Sequence, residues 1–521
     1  MASTITRRRA DLLASPPHAI RPRSIPVTPR PLALLGLLAA APALAQTPAE
    51  PPGVPHDAPV PQAVPDVLGL PATARVLPRL AAISQGVERN QRLLAERLER
   101  ERARHAESGA WSPFSPTLIA ASSYRHTEDP NPTNDRLDYA LGAGWRSIVG
   151  THVEATVGAD QGLDAPPHQP QVSVSLEQPL LKGGWLAGAG LPLTEAQLGA
   201  RLQAEVYRGA LDALIVQVDA AYWELALAQA DLDIKTRSVR RAEEQYRDTR
   251  ENIRRGILAD AELHVVEENL VIFQQEHLRA RERLFLARRG LAELLYLAPE
   301  EALAADDAFD VSGVTLPDAA EAVARALREN PDVCAQRVRV EQARARVRNQ
   351  ANQVLPSLAL QSSLGLRSPD TDYAAAWSGL GTDPALDARV GLRLEVPLDR
   401  GAVGAGLDAA EAAERRAEAE LAQAENRARF EVENALTSLT SALALSRSSA
   451  RQVELAELKL AAQMDKYRNG LSTLNDVVRF QRELDEALIA ARRVARDVRV
   501  GQARLLRAIG TLHVAVGVEV G

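Results

Sequence analysis

Tyr467-Arg468-Asn469-Gly470-Leu471-Ser472-Thr473-Leu474-Asn475-Asp476 joins two long helical patterns. Upstream, residues 404–468 hold no proline. Within them Val432, Leu436, Leu439, Leu443, Ser446, Ala450, Val453, Glu457, Leu460, Met464 and Tyr467 recur at alternating steps of 4 and 3. That is a heptad seam, the period of helices packed as coiled coils. Gly470 suits the left-handed position that ends a helix. Ser472 or Thr473 can cap the next one, with Asp476 in its first turn. The stretch is therefore the tip of a helical hairpin. A helix of about 65 residues is a rod of about 100 Å. A globular domain seldom needs such a rod; a molecule that spans a gap does.

Working outward, the chain repeats itself. Asn90 and Asn330 each precede an amphipathic helix, and these run to Ser115-Pro116-Thr117-Leu118 and Leu355-Pro356-Ser357-Leu358. The step from Asn90 to Asn330 equals the step from Pro116 to Pro356. Glu177-Gln178-Pro179-Leu180 recurs as Glu395-Val396-Pro397-Leu398, and Gly256 recurs as Gly470, both at a shorter step. The shortening places an insertion in the first copy between Pro116 and Pro179. Duplication of this kind precedes any assignment of fold. Each repeat reads as a helix of about 35 residues (77–110, 319–354), a β segment, a long helix (193–255, 404–468), a turn, and a helix of about 37 residues (260–297, 474–509). Two short helices placed end to end would match one long one, with 298–318 as a belt at mid-height.

The β segments alternate with period two. Val390, Leu392, Leu394 and Val396 oppose Arg389, Arg393 and Glu395; Leu358, Leu360, Leu364 and Leu366 oppose Gln361, Ser363 and Arg367; Val172, Val174 and Leu176 oppose Ser173, Ser175 and Glu177. Their length and alternation fit a transmembrane barrel wall, and equally a soluble sheet with one wet face. In the insertion, Leu137, Tyr139, Leu141, Ala143 and Trp145 share one face, as do Thr151, Val153, Ala155 and Val157. They meet at a short turn, Ser147 to Gly150, opposite longer loops at 127–136 and 160–170, so the hairpin is either two more wall strands or a projection outside the wall. In a wall, Trp111, Trp145 and Trp185 would all sit at the periplasmic interface.

The N-terminus reads as an export signal. Arg21, Arg23 and Arg30 precede an apolar run, Leu32–Ala41, ending in Ala43-Leu44-Ala45, so cleavage is expected before Gln46. The basic region is long enough that translation starting near Val27 is an alternative. Residues 46–75, rich in Pro and Ala, read as an extended tether. No run of 18 apolar residues exists to make a transmembrane helix. The chain has 521 residues, formal net charge −7 and one cysteine, Cys334, so no disulfide framework forms within it and nothing suggests nucleic-acid binding.

Taken together these motifs resemble the TolC family of outer-membrane efflux and secretion ducts, over roughly 77–515. The residues that carry the resemblance are Asn330-Pro331, Leu355-Pro356-Ser357-Leu358, Pro179-Leu180, Pro397-Leu398 and Tyr467-x-x-Gly470-Leu471, in an order given twice. The resemblance implies a mainly α fold with membrane β: a long α-helical barrel plus a transmembrane β-barrel shared by a homotrimer, internally duplicated. It divides the chain into a signal peptide (1–45), a Pro-rich linker (46–75), a first duct repeat (76–300), an equatorial linker (301–318), a second repeat (319–515) and a tail (516–521). Pro116, Pro179, Pro356 and Pro397 become the barrel–helix junctions. The insertion departs from the usual four strands per chain and leaves four or six. The implied partners are a periplasmic adaptor (membrane fusion protein), an inner-membrane transporter and outer-membrane lipid.

No enzyme site is expected. The 9 histidines are scattered, with no His-x-x-x-His pair, phosphate loop or Gly-x-Ser-x-Gly. No catalytic, cofactor-binding or metal-ligating residue is assigned. The resemblance instead places function at the helical tips. Gly256, Ile257, Leu258, Gly470 and Leu471 are candidates for adaptor contact, although the glycines also serve the turn itself. Asp260, Glu262 and Asp476 are candidates for a periplasmic aperture, or ordinary helix N-terminal acids. The family's frequent second acid falls at Arg479, which at spacing i, i+3 could pair with Asp476. The expected function is a passive outer-membrane duct of a tripartite efflux pump or type I secretion system, extending into the periplasm. The alternative is a periplasmic coiled-coil scaffold or adaptor without a barrel.

Overall fold

A computed structural model describes residues 74–127, 134–163, 167–306, 309–311 and 313–518. The export signal, the alternative start near Val27, the tether up to 73, parts of both long strand loops and the last residues of the tail lie outside the described residues. In chain order the first repeat comprises β1 (Arg75–Leu77), α1 (Arg79–Arg89), α2 (Gln91–Gly109), β2 (Thr117–Thr127), β3 (Asn134–Arg146), β4 (His152–Gly162), β5 (Gln169–Pro179), α3 (Trp185–Gly188), α4 (Leu191–Arg254) and α5 (Ala261–Leu294). After β6 (Leu303–Ala305) come α6 (Ala319–Glu329), α7 (Pro331–Val354), β7 (Ser357–Arg367), α8 (Tyr373–Thr382), β8 (Ala385–Glu395), α9 (Arg400–Arg468), α10 (Leu474–Ile509) and α11 (Leu512–Ala515).

The rods are α4 and α9, of 64 and 69 residues, each about 100 Å long. Short helices pack beside them in two storeys. Towards the tips the order is α5, α4, α10, α9; towards the sheet it is α2, α4, α7, α9. The storeys meet where α10 ends against the junction of α6 and α7: the buried Asn330 side-chain amide donates to Ala508 O at 3.0 Å. On the first-repeat side, Leu291 and Leu295 join Ala82 and Ile83 of α1 and Leu211, Ile215, Val218 and Tyr222 of α4 in one core. Burying each large apolar side chain there contributes about 1.5–3 kcal/mol. Residues 298–306 of the expected belt lie at this height, Leu303 and Ala305 joining the same core. They add β6 in parallel to β1, and the Tyr222 hydroxyl accepts from Asp306 N.

Two expectations about these helices need correction. The segments 77–110 and 319–354 are not single helices; each breaks at its asparagine. Asn90 and Asn330 adopt extended backbone, ψ 114° and 125°, which ends the helix before them. Their side chains then cap the next helix, Asn90 accepting from Leu93 N and Asn330 from Asp332 N and Val333 N. Because Asn330 also satisfies the Ala508 carbonyl, Asn330→Ala is expected to cost about 2 kcal/mol, and Asn90→Ala about 1 kcal/mol. Thermal midpoints of the helical circular dichroism signal of each variant in detergent check that order. In the α9 seam, Val432 and Leu439 are buried as expected, but Ala450 and Glu457 are exposed and Ser449 and Ala456 take their places. The seventh-residue repeat from Val432 holds; the second seam position lies one residue earlier in this stretch.

The sheet has six strands in the order β2-β3-β4-β5-β7-β8, antiparallel throughout. Sequence alternation therefore sums across strands into one surface. Leu394 pairs with Leu358, Leu366 with Val172, Val174 with Ala155, and Val157 with Leu141. The opposite surface carries Arg389 beside Ser363, Ser173 beside Thr156, and Asp160 beside Asp138. Among the described residues the hairpin β3–β4 thus belongs to the sheet, which has six strands rather than four. Gly158 permits the closest approach: a Cβ there would run into the Tyr139 carbonyl and Ala140 Cα, so only glycine admits this spacing. Strand β2, whose Thr117–Thr127 sequence alternates only loosely, and the helix α8 between β7 and β8 carry no clear sequence pattern.

Candidate functional site

Both tips are built by one device. Gly256 (φ 73°) and Gly470 (φ 71°) occupy the left-handed region. Gly256 N donates to Ile253 O and Ile257 N to Asn252 O; Gly470 N donates to Tyr467 O and Leu471 N to Lys466 O. These paired bonds satisfy carbonyls that a helix end would otherwise leave open. They also turn Ile257 and Leu471 outward, at 66% and 78% exposure. Leu258 is half-buried. The tips lie beside each other: burial raises the Tyr467 hydroxyl pKa, and the charges of Glu262 and Asp248 raise it further. Glu262 sits in the first turn of α5, whereas Asp260 precedes it with helical backbone and no side-chain cap bond.

Asp476 is committed locally. Thr473 and Asp476 form a capping box, and the Thr473 and Ser472 hydroxyls donate to Asp476 Oδ2 at 2.7 and 3.3 Å. Arg479 lies 3.8 Å from Asp476 and 3.9 Å from Glu483. The Thr473 hydroxyl, with lesser help from its backbone, Ser472 and Arg479, holds the Asp476 carboxyl below the usual range. A depressed folded pKa contributes stability that is present above the unfolded value of about 3.9 and lost as pH falls through the lowered one. Hydrogen exchange at the second tip is therefore expected to be insensitive to protonation of Asp476 from pH 8 to pH 5. Asp476→Ala should raise exchange several-fold at residues 473–477 and leave exchange at mid-height unchanged; equal rates in variant and parent would refute the cap.

Sequence reasoning missed a second set of groups. Four aspartates among the described residues are buried: Asp212, Asp219, Asp231 and Asp485. Each meets a cation or histidine from another element. His513 Nδ1 of α11 lies 3.0 Å from Asp212, Arg79 Nε of α1 2.5 Å from Asp219, Arg283 of α5 2.8 Å from Asp231, and Arg241 of α4 3.1 Å from Asp485 of α10. Ser238 also donates to Asp485. Nearby, Arg482 bonds Asn269 at 3.2 Å and stacks over Phe273. The second hairpin is thus tied to the first by polar contacts just above the tips. The signal was available for two of them: Asp212 and Asp219 fall one heptad apart on the apolar stripe of α4.

At the other end, Pro116 and Pro356 immediately precede β2 and β7, Pro179 ends β5, and Pro397 follows β8. Trp111, Trp145 and Trp185 are 48%, 45% and 64% exposed. Trp185 N donates to Val149 O of the β3–β4 turn, so that turn sits at the helix-proximal edge of the sheet. Among the described residues no three His, Cys, Asp or Glu side chains are placed to hold a metal ion, and no helix is long and apolar enough to cross a membrane.

The outer membrane efflux protein family profile matches residues 82–295 and 322–511. Solved structures share the fold. The Campylobacter jejuni CmeC outer membrane channel has 15% identity and a TM-score of 0.62, over 83% of this chain and 86% of that one. The Vibrio cholerae outer membrane protein VceC has 17% identity and a TM-score of 0.59, over 83% and 96%. The open-state Neisseria gonorrhoeae MtrE outer membrane channel has 20% identity and a TM-score of 0.60, over 83% and 89%. No curated protein matches at a significant level.

Proposed function

The chain belongs to the outer membrane efflux protein family, and from that membership we propose that it works as the passive exit duct of a tripartite exporter. It is an outer-membrane channel reaching into the periplasm. In the proposed assembly three copies close one β-barrel and one helical tunnel. A periplasmic adaptor grips the exposed Ile257 and Leu471 tips, and an inner-membrane transporter supplies the energy. The chain itself catalyses nothing. The observation that carries this reading is the coexistence of a six-stranded sheet bearing one continuous apolar face with rods of 64 and 69 residues. A sheet with two open edges is viable in hydrocarbon only when closed by other copies. The long edges support the same assembly: Phe430, Leu445, Leu455 and Leu458 stand exposed on α9, and Leu94, Leu98, Val271 and Leu286 on α2 and α5.

The aperture role of Asp260, Glu262 and Asp476 is supported by their common position beside the tips. Since Arg479 neighbours Asp476, the proposed second-tip ring is a zwitterionic collar. Membrane fractionation followed by light scattering of the detergent-extracted protein tests the proposal. An outer-membrane trimer is expected. A water-soluble monomer or dimer would instead indicate a periplasmic scaffold.

A further inference from the structure

We propose that a groove on the bore side of each copy, between α4 and α9 at mid-height, is a binding site for amphiphilic organic cations, so that the duct holds cargo of this class as well as passing it. The proposal rests on the outer-membrane duct reading above and names a cargo chemistry for it. Where α10 ends and α7 begins, neither short helix fills the space between the two rods. A cavity of about 690 Å³ is left there, in the size range of small-molecule sites. Along α4 its lining runs from Gly209 to Glu224, about 22 Å.

The side on which the groove opens follows from what covers the other side. On α4, Val218 packs into one core with α1, and the Tyr222 hydroxyl meets the belt at Asp306. Gly209, Ala220 and Glu224 line the cavity from the opposite face of the helix. On α10, Val498 and Leu505 pack with α6 and with Val432 and Leu439 of α9, while Val500, Arg504 and Arg507 turn to the cavity. A ring of packed helices has room for α1, α6 and the belt only outside it, so the cavity faces the bore. The layer ends laterally at α5 and α9 in this storey, so the rods stand between the groove and any neighbouring copy.

The groove is amphiphilic. Its floor is small and apolar, with Ala220 of α4, Ala435 and Ala442 of α9, and Val500 and Ala508 of α10. Its walls are charged, with five carboxylates to three guanidiniums. The Arg496 guanidinium is taken up by Glu224 at 2.5 Å and Asp497 at 2.8 Å. Asp332, Glu431, Arg504 and Arg507 stand exposed around the cavity, without an ion pair among the described residues. The deepest group is Asp212, 1% exposed. Its Oδ1 accepts from the His513 N–H at 3.1 Å and lies 3.0 Å from His513 Nδ1. Its Oδ2 is buried with no hydrogen-bond partner among the described residues. Such an orphan is costly to keep, and burial raises the carboxyl above its usual range against the pull of His513 and Arg208. An ammonium or N–H group placed at Oδ2 would relieve both. The excess of carboxylates over an apolar floor selects a cation with an apolar body: its charge is drawn to Asp212, Asp332 and Glu431, and its body covers the alanines. An organic anion would meet Arg504 and Arg507 but leave Asp212 unanswered.

The test titrates purified protein in an uncharged detergent against ethidium and follows fluorescence anisotropy, with the anion carboxyfluorescein as counter-probe. Saturable binding of ethidium and none of carboxyfluorescein is expected. Ser438→Trp, at an exposed lining position of α9, places a ring in the groove and should abolish binding. Asp332→Asn combined with Glu431→Gln should weaken it about tenfold, and Arg504→Gln should tighten it about threefold. No saturable binding of ethidium by the parent, or equal binding by the parent and Ser438→Trp, would overturn the proposal. So would tighter binding of carboxyfluorescein than of ethidium, because the guanidiniums would then set the site. Sizing and helical circular dichroism equal to the parent's confirm that each variant is assembled. Should Ser438→Trp fail there, the opposite signs of the two charge changes decide. Absence of the parent from the outer membrane would instead defeat the duct reading, and the binding measurement, made on purified protein, is read separately from it.

Discussion

Gly510→Ala is expected to destabilise the protein by about 3–4 kcal/mol. Gly510 ends α10 in the left-handed region, at φ 89°, with its N–H on Leu506 O and Arg507 O. A side chain in that conformation costs about 1–2 kcal/mol. The rest comes from what the new Cβ meets. It would collide with the Glu329 carbonyl and stand 2.9 Å from Asn330 Cα. Both are backbone atoms, so no rotamer change relieves the contact. Moving them would pull Asn330 from Ala508 O and open the seam between the two storeys. Gly470→Ala is the control. It has the same sign of φ, 71°, with nothing within 4 Å of the added Cβ, so only the conformational cost of about 1–2 kcal/mol remains. Thermal midpoints in detergent should therefore fall much further for Gly510→Ala. Equal shifts would mean the storeys are not coupled through this contact.

The contrast shows why one glycine was legible and the other was not. Gly470 sits between two periodic helices, and its turn follows from local pattern. Gly510 also ends a helix, but its importance lies in the backbone of Glu329 and Asn330, far off in the chain, which no local pattern reports. The same division runs through the molecule. Rod lengths, duplication and the apolar face came from periodicities of 3.5 and 2 that survive without tertiary context. The breaks at Asn90 and Asn330 are half visible: both asparagines read as helix starts, yet 77–110 and 319–354 each read as one helix. An extended asparagine that ends one helix and caps the next reads, in sequence, like a polar residue on a solvated face. β2 was obscured because Ala120, Ala121, Ser122 and Ser123 alternate in neither size nor polarity. Its place is set by its partner, through pairs such as Tyr124 with Leu137. At the candidate site, the turn geometry was legible and the commitment of Asp476 to its own cap was half so. The buried acids were not, because the cations that meet them come from other elements.

Among those acids Asp485 has the largest expected influence on the tips. Its carboxyl is buried between α10 and α4, where it accepts from Ser238 and faces Arg241. Asp485→Ala would leave Ser238 with the Ile234 carbonyl, Arg241 with the Ser238 hydroxyl and Lys235 with Glu276, at 2.7 Å, so that none of them reaches across to α10. Breaking such a pair costs about 3 kcal/mol, concentrated where the second hairpin meets the first. If this contact holds the tips together, single-channel conductance of Asp485→Ala in a planar bilayer should rise several-fold while the barrel is unchanged. Asp485→Asn should behave differently. Burial holds the Asp485 carboxyl above its usual range, against the opposing pull of Ser238, Arg241 and Lys235, so the charge is carried there at a net cost. Asparagine keeps an acceptor for Ser238 and Arg241 and removes that charge, so its stability should stay within about 1 kcal/mol of the parent. The pH dependence has a definite sign. Between the unfolded value of about 3.9 and the raised folded one, the native state binds more protons than the unfolded chain. The contribution of Asp485 therefore rises as pH falls through the raised value, and Asp485→Asn should flatten that slope. A conductance that responds equally to alanine and asparagine would show that charge, not the hydrogen-bonded contact, keeps the hairpins together.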